Sequence, residues 1–175
     1  DVSNQRALDA GASTGGFTDC LLQRGASEVV AIDVGKSQMH ERVATNSRVV
    51  VIDTFNVRQL ADDMQDLPLT LRSEFDLVVA DLSFISLKSV SRALTARLSG
   101  SGNLVVLVKP QFEATKLEVD KSQGVIADQA IRDRVVGEVN ESFAEQGWVV
   151  RGCIESPIHG AEGNVEYLVW YRFEA

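Results

Sequence analysis

The stretch Asp9-Ala10-Gly11-Ala12-Ser13-Thr14-Gly15-Gly16-Phe17 decides how the rest of the chain is read. It follows a short apolar run at Ala7-Leu8 and leads into a segment with helical signals, Phe17 to Arg24, closed by Gly25. A strand, a glycine-rich turn and a helix in that order leave helix N–H groups pointing outward, and glycines let the backbone come close to a ligand there. The stretch is therefore predicted to seat a nucleotide-like molecule. A tight turn with no ligand is the plain alternative, and for an isolated glycine cluster it is equally good. Context favours a ligand. Asp33 ends the second apolar run roughly 20 residues on, where a carboxylate accepts hydrogen bonds from ribose hydroxyls. Asp53 ends the third run in the same way. With the turn itself, Asp33, Val34, Asp53, Thr54 and, at the end of a later apolar run, Asp81 form the candidate binding set.

Working outward, Val/Ile/Leu-rich runs recur at Val29 to Ile32, Val49 to Ile52, Leu77 to Ala80 and Leu104 to Val108, as in buried parallel strands. Between them, Lys36 to Ala44 and Leu87 to Leu98 carry helical signals, the second ending at Ser-Gly-Ser-Gly102. Regular alternation implies βαβ units and a parallel sheet covered on both faces. The last third opens with Asp128 as an N-cap and Ile131, Val135, Val139 and Phe143 along one helical face, stopped by Gly147. Trp148 to Glu155 and Val165 to Phe173 then read as an antiparallel pair at a sheet edge, giving seven strands in all. Gln111 to Ala127 is the one long irregular stretch.

At 175 residues, 45% hydrophobic and 24% charged, the chain has the size and composition of one ordinary globular domain, so residues 1–175 are expected to form a single unit. No apolar run approaches the ~18 residues that cross a bilayer, and the opening Asp-Val-Ser-Asn-Gln-Arg lacks signal-peptide blocks. The expectation is a cytoplasmic protein with no membrane partner, cut from something longer. Cys20 and Cys153 are read as reduced, packed thiols, His40 and His159 as surface or packing residues, and no metal site is expected. The sequon at Asn140 falls inside the predicted last helix and is read as chance. A net charge of −8 argues against a freestanding nucleic-acid binder.

A dinucleotide loop follows G-x-G-x-x-G so that a pyrophosphate rests on the helix N-terminus. Here Ser13 replaces the second glycine and Asp9 stands just before the first. A carboxylate repels a pyrophosphate but suits a ligand with an ammonium and a sulfonium, which favours S-adenosylmethionine over a nicotinamide cofactor. Asp81 ends the fourth strand, Lys109 the fifth, and Glu166 stands at the start of the last. In an open parallel sheet these positions face one cleft. Singly each is more readily a surface charge or ion pair; together they point to a functional site. Ser83 lacks the elbow and the histidine a hydrolase needs. The motifs that serve base-amine or cytosine-carbon methylation are also missing.

Leu-Asp-Ala-Gly-Ala-Ser-Thr-Gly-Gly-Phe-Thr-Asp-Cys-Leu-Leu, Asp-Leu-Ser-Phe-Ile-Ser-Leu, Leu-Val-Lys-Pro-Gln-Phe-Glu and Gly-Asn-Val-Glu-Tyr together resemble the TlyA, or hemolysin A-type, branch of the FtsJ-like RNA methyltransferases over nearly the whole chain. The resemblance implies a Rossmann-like S-adenosylmethionine-dependent fold and 2′-O-methylation of ribosomal RNA by a Lys-Asp-Lys-Glu tetrad. Asp81, Lys109 and Glu166 carry over, with Lys109 as candidate base and the carboxylates orienting. The first lysine has no counterpart, since residues 1 to 8 contain none. These 175 residues are therefore expected to bind cofactor but to methylate poorly. An S4-like RNA-binding domain normally precedes this one in the family and would supply much of the affinity, with Lys88, Arg92, Lys116 and Lys121 as local phosphate contacts. A nicotinamide-dependent oxidoreductase, and a noncatalytic or membrane-lysing protein, are the competing readings.

Overall fold

The computed structural model describes residues 1–174. Seven strands form one sheet in the order β3-β2-β1-β4-β5-β7-β6. They are β1 (Arg6–Ala10), β2 (Glu28–Ile32), β3 (Val49–Ile52), β4 (Phe75–Ala80), β5 (Leu98–Val108), β6 (Trp148–Glu155) and β7 (Tyr167–Phe173). β1 to β5 run parallel; β7 is antiparallel to both β5 and β6. The continuous Val/Ile runs follow from burial on both faces, since alternate residues enter opposite cores. Ala7, Val29, Leu77 and Val79 pack with Leu21 and Leu22 of α1 (Gly16–Gln23) and Val43 of α2 (Glu41–Ala44). Leu8, Ala10, Val30 and Ile32 face the larger core, which holds Leu94 of α3 (Ser91–Thr95) and Phe143 of α6 (Gln129–Ala144).

α6 behaves as its spacing dictates. Asp128 accepts a hydrogen bond from Ala130 N–H at 2.9 Å, Val135, Val139 and Phe143 are buried, and Gly147 ends the segment at φ 83°. Ile131 is only half-buried. The Phe143 ring lies 4.7 Å from that of Tyr171, whose hydroxyl donates to Asn140 Oδ1 at 2.6 Å, so the sequon asparagine is a packing residue. Replacing Asp128 with Ala orphans a helix N–H and is expected to cost about 1 kcal/mol, read as a fall in Tm of roughly 2–4 °C by calorimetry.

Several expectations need correction. Lys36 to Ala44 is helical only over Glu41–Ala44, because Ser37 adopts φ 53° and its N–H is taken by Asp53. Leu87 to Leu98 is a 3-10 turn at Leu87–Ser89 followed by the short α3, broken at Val90 (φ −126°). The Ser-Gly-Ser-Gly102 segment read as a helix end is instead part of β5, which slips register against β4 there. Gln111 to Ala127 contains two short helices, α4 (Pro110–Glu113) and α5 (Lys116–Lys121), the second started by a Thr115/Glu118 capping box. The last strand begins at Tyr167 rather than Val165. Cys153 is exposed rather than packed, and Cys20 is half-buried; both are free thiols. His40 caps α2 by accepting from Arg42 N–H, and His159 is exposed. Among the described residues no helix is long and apolar enough to cross a membrane, and no group of three His, Cys, Asp or Glu could hold a metal.

Candidate functional site

The carboxyl ends of β1, β2, β3, β4 and β5 share one sheet edge, and because β7 runs the other way its start lies there too, with Tyr167 opposite Val108. At the end of β1, Gly11 takes φ +84°, and a Cβ there would lie 2.3 Å from the carbonyl oxygen of Asp81. Gly15, at φ +96°, caps α1, and its Cβ would press on Met39 and Val43 at 3.2 Å. These two glycines thus let protein approach protein. Of the three glycines in this turn, Gly16 alone has open space where a Cβ would sit.

Ser13 N–H donates to Asp33 Oδ2 at 2.8 Å, and Gly35 N–H donates to Oδ1 at 2.7 Å. Asp33 therefore braces the glycine-rich turn while each oxygen keeps a lone pair for another donor. A cavity of about 440 Å³ opens beside it, within the usual range for ligand sites. Gly11 and Ser13 form one side and Ile32, Asp33, Val34 and Gln38 the next. Phe55 to Arg58 close the far wall, and Asp81 to Ile85 the remaining one. Of the expected binding residues, Gly11, Ser13, Asp33, Val34 and Asp81 line it. Asp9, Ala12, Thr14, Gly15, Gly16 and Phe17 do not. Asp53 and Thr54 also lie outside; Asp53 anchors Ser37, and Thr54 N–H donates to Gly35 O.

Sequence reasoning missed Gln38, Phe55, Asn56, Val57, Arg58, Leu82 and Ile85. A signal existed for the far wall: Asn56 and Gln59 form a capping box that starts a 3-10 turn just after β3. Asp9 is fully buried behind the turn. Its Oδ2 accepts from Thr18 Oγ1 at 2.6 Å, and its Oδ1 is buried with no hydrogen-bond partner. Burial pushes its carboxyl up to about 6; hydrogen bonds from Thr18 pull the other way, and the charges of Asp81 and Asp33 add to the rise.

Beside the cavity, Lys109 Nζ lies 2.6 Å from Asp81 Oδ1 and donates to Ser83 Oγ at 3.0 Å. Phe84, 91% exposed and at φ 62°, packs its ring 5.1 Å from that of Phe112. Glu166 directly precedes β7, so the pairing of Val108 with Tyr167 sets it across from Lys109. It is 5% exposed, and its Oε1 accepts from Gln111 Nε2 at 3.0 Å. Gly160 makes room for it, since a Cβ there would sit 2.2 Å from Oε1. Of the four expected phosphate contacts, Lys88 is ion-paired with Glu138 at 2.5 Å, while Arg92, Lys116 and Lys121 are exposed.

This sheet order, with its antiparallel edge and a cavity at the strand carboxyl ends, defines the Rossmann-like methyltransferase fold. The FtsJ-like methyltransferase family profile matches residues 1–173, and the chain belongs to that family. It is 47% identical over 171 residues to the 16S/23S rRNA (cytidine-2′-O)-methyltransferase TlyA of Mycobacterium tuberculosis, covering 98% of this chain and 61% of that protein. It is 37% identical to the Hemolysin A of Brachyspira hyodysenteriae, covering 97% of this chain and 68% of the relative. A solved structure described as a hemolysin from Lactococcus lactis superposes with a TM-score of 0.88 at 36% identity, over 97% of this chain and 78% of that one. The chain thus spans about three fifths of the length of the Mycobacterium relative. Family membership sets aside the nicotinamide-dependent alternative.

Proposed function

We propose that this chain is a single S-adenosylmethionine-binding domain that transfers a methyl group to a ribose 2′-hydroxyl of ribosomal RNA. The observation that carries the reading is the Lys109–Asp81 contact at 2.6 Å on the rim of the cavity, with Glu166 set across from Lys109. The residues present fit the cofactor: the cavity has room for a nucleoside, and Asp33 and Asp81 line it while Asp9 holds a buried oxygen without a partner. Such a cluster of carboxylates suits an ammonium and a sulfonium. Asp33 would take the ribose hydroxyls, and Val34 and Val57 would flank the base. When bound, the cofactor supplies an electrophilic methyl group.

Everything else is the protein's task. Asp81 fixes Lys109 from one side and Ser83 from another, so the amino group is held in one place before the acceptor arrives. Orientation of this kind contributes up to ~7–11 kcal/mol and a general base ~10²–10⁴-fold in rate, which makes alignment the larger part. Lys109 is the group proposed to take the hydroxyl proton. The family's tetrad holds a further lysine, and residues 1–175 without it are proposed to methylate slowly.

Ribosomal RNA or a ribosomal subunit in the cytoplasm is the proposed partner, with Arg92, Lys116 and Lys121 available to phosphates and a preceding RNA-binding domain supplying most of the affinity. Mass spectrometry of ribosomal RNA from cells with and without the full-length protein tests the reading. A ribose methyl group missing only from the deletion supports it, and identical modification in both strains overturns it.

A further inference from the structure

Glu113 is a buried carboxylate that the cofactor and acceptor roles leave unused. It closes α4, is 7% exposed, and accepts two short hydrogen bonds, from Ser86 Oγ and from Leu87 N–H, both at 2.6 Å. Those donors lie at the end of the loop that leaves β4 with Asp81, Ser83 and Phe84. Burying a carboxylate is costly, and burial pushes the Glu113 carboxyl up while the Ser86 and Leu87 bonds pull it down. Capping alone does not account for that cost. Ser86 stands at the N-cap of the Leu87–Ser89 turn, where a serine hydroxyl ordinarily caps for itself, yet its hydroxyl is directed to Glu113 instead. The cap has been transferred to another element, and the effect is to tie the two elements together.

The tie has a particular geometry. Lys109 is the residue just before α4 and Glu113 is its last, so one turn of helix grips the 81–87 segment at both ends. Lys109 meets Asp81 and Ser83 at one end, the Phe112 and Phe84 rings meet in the middle, and Glu113 holds Ser86 and Leu87 at the other. Phe84 sits at φ 62°, a conformation a bulky residue keeps only where its surroundings impose it. We propose that Glu113 is a positioning residue for methyl transfer, locking the 81–87 segment onto α4 so that Asp81 and Ser83 stay in register with Lys109. The proposal rests on the methyltransferase reading above.

The test uses the full-length protein, with kcat and KM on ribosomal subunits and Kd for S-adenosylmethionine by calorimetry. Displacement of reacting groups by about 1 Å costs on the order of 10²-fold in rate, and Glu113→Ala is expected to lower kcat by about that factor with KM and Kd within about threefold. Glu113→Gln keeps an acceptor for Leu87 and offers a donor to Ser86, and is expected to recover kcat to within about fivefold of wild type. Adding Ser83→Ala to Glu113→Ala should cost little more than Glu113→Ala alone, because Glu113 is proposed to act through the Ser83–Lys109 contact. A folded Glu113→Ala protein with a lower Tm and unchanged kcat would overturn the proposal, as would a Kd that weakens as much as kcat falls. Should Glu113→Ala not fold, Ser86→Ala removes one arm and is expected to lower kcat about fivefold; unchanged kcat there counts against the clamp. Wild type that fails to methylate would instead refute the methyltransferase reading. Amide exchange then judges the clamp by itself, with Leu87 expected to exchange at least about tenfold faster in the variant and unchanged exchange sinking it.

Discussion

Lys109→Ala in the full-length protein is expected to lower kcat for methylation of ribosomal subunits by about 10³-fold or more, roughly 4 kcal/mol of transition-state stabilisation, with cofactor Kd within about threefold. The split follows from the site. Lys109 does not line the cavity, so cofactor affinity does not depend on it, whereas Asp81 does and holds Lys109 at the rim. The fold should hardly notice. Asp81 keeps 40% of its side chain in solvent, and an ion pair with one partner so exposed contributes less than about 1 kcal/mol. A Tm within a few degrees of wild type, together with the lost kcat, separates a group acting on the reaction from one holding the structure. Lys109→Arg keeps a cation near Asp81 but cannot act as a base, and is expected to be as inactive as Ala. Recovery of activity in the Arg variant would show that charge alone is needed and remove Lys109 from the base role.

What the sequence made legible was whatever repeats with a period or ends an element. The apolar runs found the five parallel strands because the sheet is covered on both faces, almost fully over β1, β2 and β4 and only partly at the outer strand β3. Asp128, Val135, Val139 and Phe143 found α6 because a cap and one helical face agree. Asp33, Asp81 and Lys109 were found because polar groups at strand ends stand out against apolar runs. The irregular parts hid from the same logic. Phe55 to Arg58 wall the cavity from a 3-10 turn too short to show a period, and Gln38 reaches it from a segment wrongly read as helix. Asp53 looked equivalent to Asp33, yet its carboxylate is directed to Ser37 N–H, away from the cavity. At Gly11 and Gly15 the positive φ and the missing Cβ are required by Asp81 and α2, contacts between segments far apart in sequence. Glu113 carries no legible role in its motif, because the partners that define it lie 27 and 26 residues away.

Asp9 links the buried charge of the site to its ligand, and its effect has opposite signs in the two states. With its carboxyl raised from 3.8 to about 6, the folded protein holds a proton that the unfolded chain releases. That contribution to stability is fully present below about pH 4 and is lost as pH rises through 6, a loss of about 3 kcal/mol by neutral pH. Asp9→Asn keeps an acceptor for Thr18 and removes the charge, so at pH 7.5 the ligand-free variant is expected to be more stable than wild type by a similar order. Cofactor binding should move the other way. Asp33 and Asp81, which line the cavity, raise the Asp9 carboxyl through their charge, so a cation seated against them must act on Asp9 in the opposite sense and draw its proton off. Kd for S-adenosylmethionine is then expected to weaken by up to about tenfold for each pH unit below 6 in wild type and to be flat between pH 5 and 7 in Asp9→Asn. Calorimetry across that range, paired with thermal unfolding of the ligand-free proteins, checks both signs at once. A wild-type Kd that does not change between pH 7 and 5 would show that the ligand's positive charge is seated away from these carboxylates, and with it would go the argument that they select the methyl donor.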